Sequence, residues 1–450
     1  MSTPPATAAP TLRPLGAPRP GALLLVLLLA WAVLGVAASF GLLPAAAWWG
    51  SGAALVLAAF GDLVALRRLP TPDAVRRIAE TLAIGMPTTV RLALDPGRAR
   101  LRAWVHDLHP GGWEAQDMPR RLALKPGTLS EFEYRLRPTA RGDFAFEGVQ
   151  LLVDSPLRLW RQSRVSGQPQ TVRVFPNFAP LTRLAMAGAE RATRMVGAHM
   201  TRRRGEGTDF RQLREYRVGD SLRQVDWKAT ARSRKLISRE YQDEKNQQLV
   251  MLIDTGRRMM AREDELGHFD HVLNASLVVS YLALRQGDGV GLFAAGGDSR
   301  WVAPQRGMAA IDTLLRASYD LQPRAVATDY LAAATELSLR QRRRALVMLV
   351  TNVRDEDIDD LLAAVRLLQK RHLVCVASLR ETSLDDALDD EVHDLQGAIH
   401  AGAVARYMEQ RAAAHDALRS HRVMVLDVTS DELPAALVER YLAVKRDGVL

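Results

Sequence analysis

The chain has one cysteine, Cys375, in 450 residues. A single thiol excludes an internal disulfide framework. It lies in the apolar run Leu373-Val374-Cys375-Val376-Ala377, where a buried, inert thiol is expected rather than a nucleophile. Several short motifs are also missing. There is no Gly-x-x-x-x-Gly-Lys-Ser/Thr loop for nucleotide phosphates, no Gly-x-Ser-x-Gly elbow and no His-Glu-x-x-His metal helix, so the usual nucleotide, hydrolase and metalloprotease readings find no support. Aromatic residues are sparse where base stacking would need them. The basic stretch 202–239 offers only Phe210, Tyr216 and Trp227 among many interleaved acids, which argues against nucleic acid. Charge itself is absent from residues 21–61.

That uncharged run would extend roughly 60 Å as one helix, about twice the hydrocarbon core of a bilayer. Two crossings fit better, over residues 21–43 and 46–66, with Pro44 at the bend and Trp48 and Trp49 at the interface. Asp62 falls near the end of the second span, where a charge can reach the headgroups. Arg13 and Arg19 precede the first span, and Arg67, Arg68, Arg76 and Arg77 follow the second. Both flanks are therefore expected on the cytoplasmic side of the membrane. A cleaved signal peptide ending near Ala37-Ala38 is the competing reading. The net charge of +9 fits attraction to anionic membrane lipid. Residues 1–20, rich in Pro, Ala and Thr, are expected to be disordered.

From residue 70 to 180 the pattern becomes one of short strands. Phe132, Tyr134 and Leu136 alternate with Glu131, Glu133 and Arg135, which predicts a strand with one wet face. Asp95-Pro96-Gly97, Gly142 and Gly148 punctuate the runs, and a small β-sandwich-like segment is expected. No cluster of His, Cys or carboxylate residues there forms a candidate site.

Residues 205–232 read GEGTDFRQLREYRVGDSLRQVDWKATAR. Gly205, Gly207, Asp209, Phe210, Arg214, Tyr216, Gly219, Asp220, Arg223, Asp226, Trp227 and Arg232 concentrate glycine, guanidinium, carboxylate and aromatic groups in one stretch. Carboxylates can pair with guanidinium forks there, and the aromatic rings can bury beside those pairs. The pattern is compatible with a structural ion-pair cluster or with a working site.

After residue 246 apolar strands alternate with helical patterns. Strands are predicted at 249–254, 289–294, 345–351, 373–379 and 422–428. Helices are predicted at 268–286, 308–321, 329–339, 358–370, 401–421 and 434–445. Such alternation implies a parallel sheet covered on both faces, with ligands at the carboxyl ends of the strands. His268 and His271, three residues apart on a helix, have no evident third ligand and read as ordinary helix surface. Arg340 to Arg344 reads as a solvated helix end.

The 205–232 stretch closely resembles the signature of bacterial domain-of-unknown-function family 58, and the likeness continues through Leu236-Ile237-Ser238-Arg239-Glu240-Tyr241 to Asp254. The resemblance implies a membrane-anchored chain of several domains: a disordered 1–20, a transmembrane hairpin at 21–66, a β-rich segment at 70–180, the signature at 200–245 and a doubly wound von Willebrand A-like domain at 246–450. The segment Asp154-Ser155-Pro156-Leu157-Arg158 resembles the family's Asp-Pro-Leu-Gly turn, with Ser155 inserted and Arg158 in place of glycine. Arginine tolerates positive φ poorly.

In that fold the first strand often ends in Asp-x-Ser-x-Ser, which holds magnesium with hard oxygen ligands. Here the sequence is Asp254-Thr255-Gly256-Arg257-Arg258. Asp254 is kept, both serine positions are lost to Gly256 and Arg258, and Asn352 replaces a further aspartate. Two hydroxyl ligands and one negative charge are gone and a guanidinium has arrived, so tight magnesium binding is not expected, nor any other cofactor. Arg258 is expected instead to take the place of the cation and meet a partner's carboxylate directly. The resemblance further implies association with a MoxR-type AAA+ ATPase, and hence a non-enzymatic interaction or scaffold protein in an assembly or chaperone-like role. The alternative is an enzyme in which Asp220 and Asp226 do acid–base work on an anionic substrate held by Arg214 and Arg223. That role needs one carboxyl group of raised pKa. The client and the oligomeric state are not legible in the sequence.

Overall fold

A computed structural model describes residues 16–180, 182, 209–217, 222–242, 247–263 and 266–448, with backbone alone at 209–211, 223 and 240–242. The chain divides into two compact units, Met1–Phe175 and Pro176–Leu450.

In the first unit the strand β1 (Arg19–Pro20) leads into helices α1 (Ala22–Ser39) and α2 (Ala45–Arg68). Both are long and apolar enough to cross a membrane, with mean hydropathy 2.6 and 1.6 over their most apolar windows. Only 6% and 17% of those windows are buried, whereas a core helix of a soluble domain hides its apolar face. The helices lock through Trp31 and Trp48, whose rings stack at 5.0 Å. Each indole N–H donates to the other tryptophan's carbonyl, at 3.1 and 3.3 Å. Gly35 and Gly52 make room: a Cβ on either would fall 2.8 Å from the facing indole nitrogen. Trp48 therefore binds the hairpin together, while Trp49 is exposed.

The strands that follow are β2 (Asp73–Arg77), β3 (Thr81–Ala83), β4 (Thr88–Asp95), β5 (Leu101–Asp107), β6 (Glu114–Gln116), β7 (Arg120–Leu124), β8 (Ser130–Arg137), β9 (Gly142–Phe146), β10 (Val149–Asp154), β11 (Trp160–Ser166) and β12 (Gln170–Phe175). They form sheets ordered β1-β11-β10-β5-β7, β2-β4-β8-β6 and β3-β12-β9. Alternate residues are buried along β5 and β8, as strands with one wet face require. The wholly buried Asp107 on β5 ties two of the sheets. It accepts from Arg76 Nε of β2 at 2.9 Å and from Tyr134 OH of β8 at 2.6 Å.

Asp62 does not lie free near headgroups, as its position in the sequence suggested. It is 3% exposed and accepts from the Ser155 hydroxyl, from Leu157 N at 2.9 Å and from Leu159 N at 3.1 Å. The turn it gathers contains Arg158 at φ 60°, so arginine does adopt the left-handed conformation there. Arg164 donates to the carbonyls of Leu66 and Leu69 at 2.7 and 2.8 Å. Carbonyls at a helix end have no intrahelical partner, and a guanidinium supplies one.

The second unit opens with β13 (Asp209–Glu215) and β14 (Ile237–Gln242), an antiparallel pair with the short helix α3 (Trp227–Ser233) between them. Then come β15 (Gln248–Asp254), the small ladder β16 (Arg262–Glu263) and β17 (Leu266–Gly267), α4 (His268–Arg285), β18 (Gly289–Ala295), β19 (Arg300–Gln305), α5 (Ala310–Ser318), α6 (Tyr330–Arg340), β20 (Leu346–Thr351), α7 (Ile358–Gln369), β21 (Leu373–Arg380), α8 (Thr382–Asp389), α9 (Leu395–Ser420), β22 (Met424–Thr429) and α10 (Leu433–Arg446). The sheet runs β19-β18-β15-β20-β21-β22. All its pairings are parallel except that of β19 with β18. Met251, Met348 and Cys375 pack under α4, α5 and α10. Val250, Val347 and Val374 pack under α6, α7 and α9. Successive strand residues thus fill two cores, which makes the sheet doubly wound.

Besides the small β16–β17 ladder, three elements of the α/β layers depart from the sequence reading. β19 was not predicted, nor was α8, and α9 starts at Leu395 rather than at residue 401. Asp394 caps α9 by accepting from Gly397 N at 2.6 Å.

Candidate functional site

The carboxyl ends of β15, β20 and β21 bring most of the candidate residues of the α/β sheet together. Asp254 ends β15 and is 3% exposed. Its Oδ1 accepts from Gly256 N at 2.7 Å and Thr328 Oγ1 at 2.5 Å. Its Oδ2 accepts from Tyr330 OH at 2.9 Å and Thr351 Oγ1 at 2.6 Å. A carboxylate has about four lone-pair positions, and all of them face donors of the chain itself. Burial, and then the Asp254 charge, push the Tyr330 phenol well above its ordinary range, so it stays a donor.

The glycine at 256 is a steric requirement of this closure. A Cβ there would fall 2.2 Å from Thr328 Oγ1 and 2.9 Å from the Val326 carbonyl. A serine at 256 cannot coexist with Thr328 in its present place. The cavity beside Asp254, lined by Ala295, Thr328 and Tyr330 among others, measures ≈ 10 Å³, about the room one water needs. The side chains as placed do not fit a magnesium ion. Asp254 has no free lone pair, and the residue at 256 offers no hydroxyl.

Arg258 does not stand ready for a partner's carboxylate. It donates through Nη2 to Glu356 at 2.6 Å and through Nε to Asp357 at 2.9 Å, and its side chain is 12% exposed. The hydrogen bond from Arg258 holds the Glu356 carboxyl below its ordinary value. Asn352, wholly buried, donates to Glu381 Oε1 at 2.8 Å and accepts from Arg411 Nη1 at 2.7 Å. Arg411 also reaches Ser378 Oγ, the carbonyls of Val353 and Leu379, and Asp427. A buried guanidinium therefore neutralises this edge from within. Asn352 serves that network and not Asp254.

Sequence reasoning missed Thr328, Tyr330, Thr351, Arg411 and Glu381. The one available signal was that a carboxylate ending a buried strand needs donors, and this does not say which. His268 is a correction of another kind. It is wholly buried, not on the helix surface, with Nε2 3.8 Å from Glu263 Oε2. Burial lowers its pKa. No group of three or more His, Cys, Asp or Glu residues among the described ones could hold a metal ion. Cys375 is buried, and its thiol is pushed up to about 12 by burial, as an inert thiol should be.

In the signature, Gly205, Gly207, Gly219 and Asp220 lie outside the described residues, as do the side chains of Asp209, Phe210 and Arg223. Asp226 is the N-cap of α3. It accepts from Lys228 N at 3.0 Å, Ala229 N at 2.9 Å and Arg239 Nε at 2.9 Å. The Ala229 amide, then Arg239, hold its carboxyl below the ordinary range, the opposite of what a general acid needs. Trp227 does not bury its ring: it is 65% exposed. Arg232 is exposed. Arg214 donates to the Glu215 carbonyl at 3.1 Å, and Tyr216 N pairs with the Leu236 carbonyl at 2.8 Å. The described part is a capped hairpin, and two of its ion pairs, Asp226 with Arg239 and Glu215 with Lys235, use cations outside the twelve singled out.

Comparison with known proteins gives limited likeness. No curated protein matches the chain. An aerotolerance-related membrane protein from Bacteroides fragilis NCTC 9343 is 15% identical over 45% of this chain and 98% of that one, with a TM-score of 0.27. Proximal thread matrix protein 1 of the mussel byssus is 8% identical over 45% of each chain, with a TM-score of 0.25. At such scores neither carries an argument. The family described as "Protein of unknown function DUF58" matches this chain over residues 212–424, the stretch that holds Asp226, Asp254, Arg258 and Asn352.

Proposed function

We propose that this chain is a scaffold protein anchored in the bacterial inner membrane by its apolar hairpin. Its α/β domain is von Willebrand A-like, with the cation position filled by the protein's own donors, and it docks a protein partner through the carboxyl edge of the sheet. The partner is a MoxR-type AAA+ ATPase, which supplies the nucleotide chemistry for which this sequence has no phosphate loop. The observation that carries the reading is the saturation of Asp254 by Gly256 N, Thr328, Tyr330 and Thr351. A cation-dependent surface would leave such a carboxylate a lone pair for metal. Beside it Arg257 and Glu356 are exposed, and they offer a polar rim to a partner.

The test uses the full chain in detergent. Calorimetry with magnesium should give no binding heat in the micromolar range, and the MoxR-type ATPase of the same cell should be retained on the immobilised chain. Exchanging the exposed pair, Arg257→Glu with Glu356→Arg, should weaken that retention. Micromolar magnesium binding abolished by Asp254→Ala would defeat the filled-site reading, and an ATPase that never binds would defeat the partner.

A further inference from the structure

Two corners of the α/β domain are exposed, apolar and of opposite charge. The first is the α8–α9 corner. Leu388, Val392, Leu395 and Ile399 are 42%, 53%, 77% and 65% exposed. Leu395 and Ile399 are four residues apart and share a face of α9. Val392 lies beside its first turn, with Cγ1 3.8 Å from where a Cβ on Gly397 would sit. Single exposed apolar residues are ordinary, but a group of four marks a contact surface. Around them Asp386, Asp389, Asp390 and Glu391 are exposed. No Lys or Arg occurs between Arg380 and Arg406, so this stretch of the chain is acidic.

The second corner ends α6. Leu339 is 72% exposed. Arg342 and Arg343 are exposed beside it, and no acid occurs between Glu336 and Asp355. Gln341 fixes this corner at the amino end of the sheet by reaching Gln248, the first residue of β15. The acidic corner follows β21 and so lies at the carboxyl end. The two ends are separated by the length of a six-residue strand such as β20, roughly 20 Å at 3.3 Å per residue. One molecule cannot bring its own corners together across a rigid sheet.

We propose that the α8–α9 corner binds the Leu339–Arg343 corner of a second copy of this chain. Leu339 enters the apolar group, and Arg342 and Arg343 face Asp389, Asp390 and Glu391. Because the two surfaces differ, a single contact leaves one corner free on each copy; a second copy turned end for end fills both corners as a two-fold pair, and otherwise copies add in series. Charge complementarity at the rim sets register and makes assembly sensitive to salt. The proposal does not depend on the filled cation position or on any ATPase.

Sedimentation of the full chain in detergent tests it. The wild type should grow in size with protein concentration at low salt and shrink at high salt. Asp389→Lys with Asp390→Lys, or Arg342→Glu with Arg343→Glu, should each weaken association by about tenfold or more. All four substitutions in one chain should restore it. Leu395→Asn should weaken it without changing the salt dependence. A wild type that stays monomeric, or a fourfold variant that fails to recover, would overturn the proposal.

Discussion

Asp62 and Asp254 are both buried carboxylates, 3% exposed, and both are surrounded by donors of the protein itself. The donors differ. Asp62 takes two backbone N–H groups and one hydroxyl, all from the Ser155–Leu159 turn. Asp254 takes one backbone N–H and three hydroxyls, from Thr328, Tyr330 and Thr351. Backbone donors fix a local path of the chain and survive any substitution except proline. Hydroxyl donors converge from distant segments and can be lost one at a time. Asp62 therefore reads as a fastener of one turn to one helix. Asp254 reads as the centre of a pocket filled by hydroxyls from distant parts of the chain.

The largest expected effect tests that contrast directly. Asp254→Ala should cost about 3–5 kcal/mol of stability, because four buried donors lose their acceptor at once. Chemical denaturation of the full chain in detergent measures it. Thr351→Val and Thr328→Val should each cost only about 1–2 kcal/mol, since the remaining donors still satisfy the carboxylate. Asp62→Ala should instead speed amide exchange at Leu157 and Leu159 and leave the α/β domain unchanged. If single hydroxyl losses cost as much as Asp254→Ala, the two carboxylates are the same kind of device and the distinction fails.

Acid should act next most strongly, through buried groups that lack what both carboxylates have. His415 is 1% exposed, and its Nε2 has no hydrogen-bond partner. Burial, opposed in part by Asp427, lowers its pKa to about 4. Burial likewise lowers His268 and His372. In the unfolded chain these rings take up protons below about pH 6.5, while the folded ones resist. Stability is therefore whole above pH 6.5 and is lost as pH falls from there toward 4, by on the order of 2–3 kcal/mol for His415. His415→Gln should flatten that slope. A denaturation midpoint that stays level from pH 7 to 4.5 would contradict the assignment.

Gly256→Ser is a smaller and sharper test. It adds a hydroxyl but collides with Thr328, and should cost about 1–3 kcal/mol. Adding Thr328→Ala should recover most of the loss. If Gly256→Ser is neutral by itself, the pocket is not sterically closed.

Much of this architecture was legible in the sequence, and the illegible parts share a cause. Strands buried on both faces appear as apolar runs, so β15, β18, β20 and β21 were readable, and the half-buried edge strand β22 was readable from its own short apolar run. β19 carries Arg300, Gln305 and Pro304 on a sheet edge, where neither run nor alternation survives. The start of α9 was hidden because Leu395 and Ile399 face outward and leave no buried stripe to follow. Asp254 announced itself as the charge ending an apolar run. Its hydroxyl donors lie 74, 76 and 97 residues further along the chain, and no local pattern links them to it. Arg411 in a polar helix looks solvated until the fold places it against Asn352 and Asp427.

Asp226 gives the smallest effect and completes the contrast. It accepts two backbone N–H groups, as Asp62 does, but at a helix start that is only partly covered. The same bonds made near water are worth less, because the amides can turn to solvent instead. Its carboxyl is held below the ordinary range by the Ala229 amide and then by Arg239. The cap is therefore complete above the usual carboxylate range and lets go only as pH falls through that lowered value. Asp226→Asn keeps an acceptor for the amides and loses the charge toward Arg239, whereas Asp226→Ala loses both. Amide exchange at Lys228 and Ala229 should quicken with Asn and quicken further with Ala, while the α/β domain melts as before. If Asn is as damaging as Ala, the carboxylate's charge toward Arg239 holds this hairpin, and Asp226 belongs with ion pairs rather than with caps.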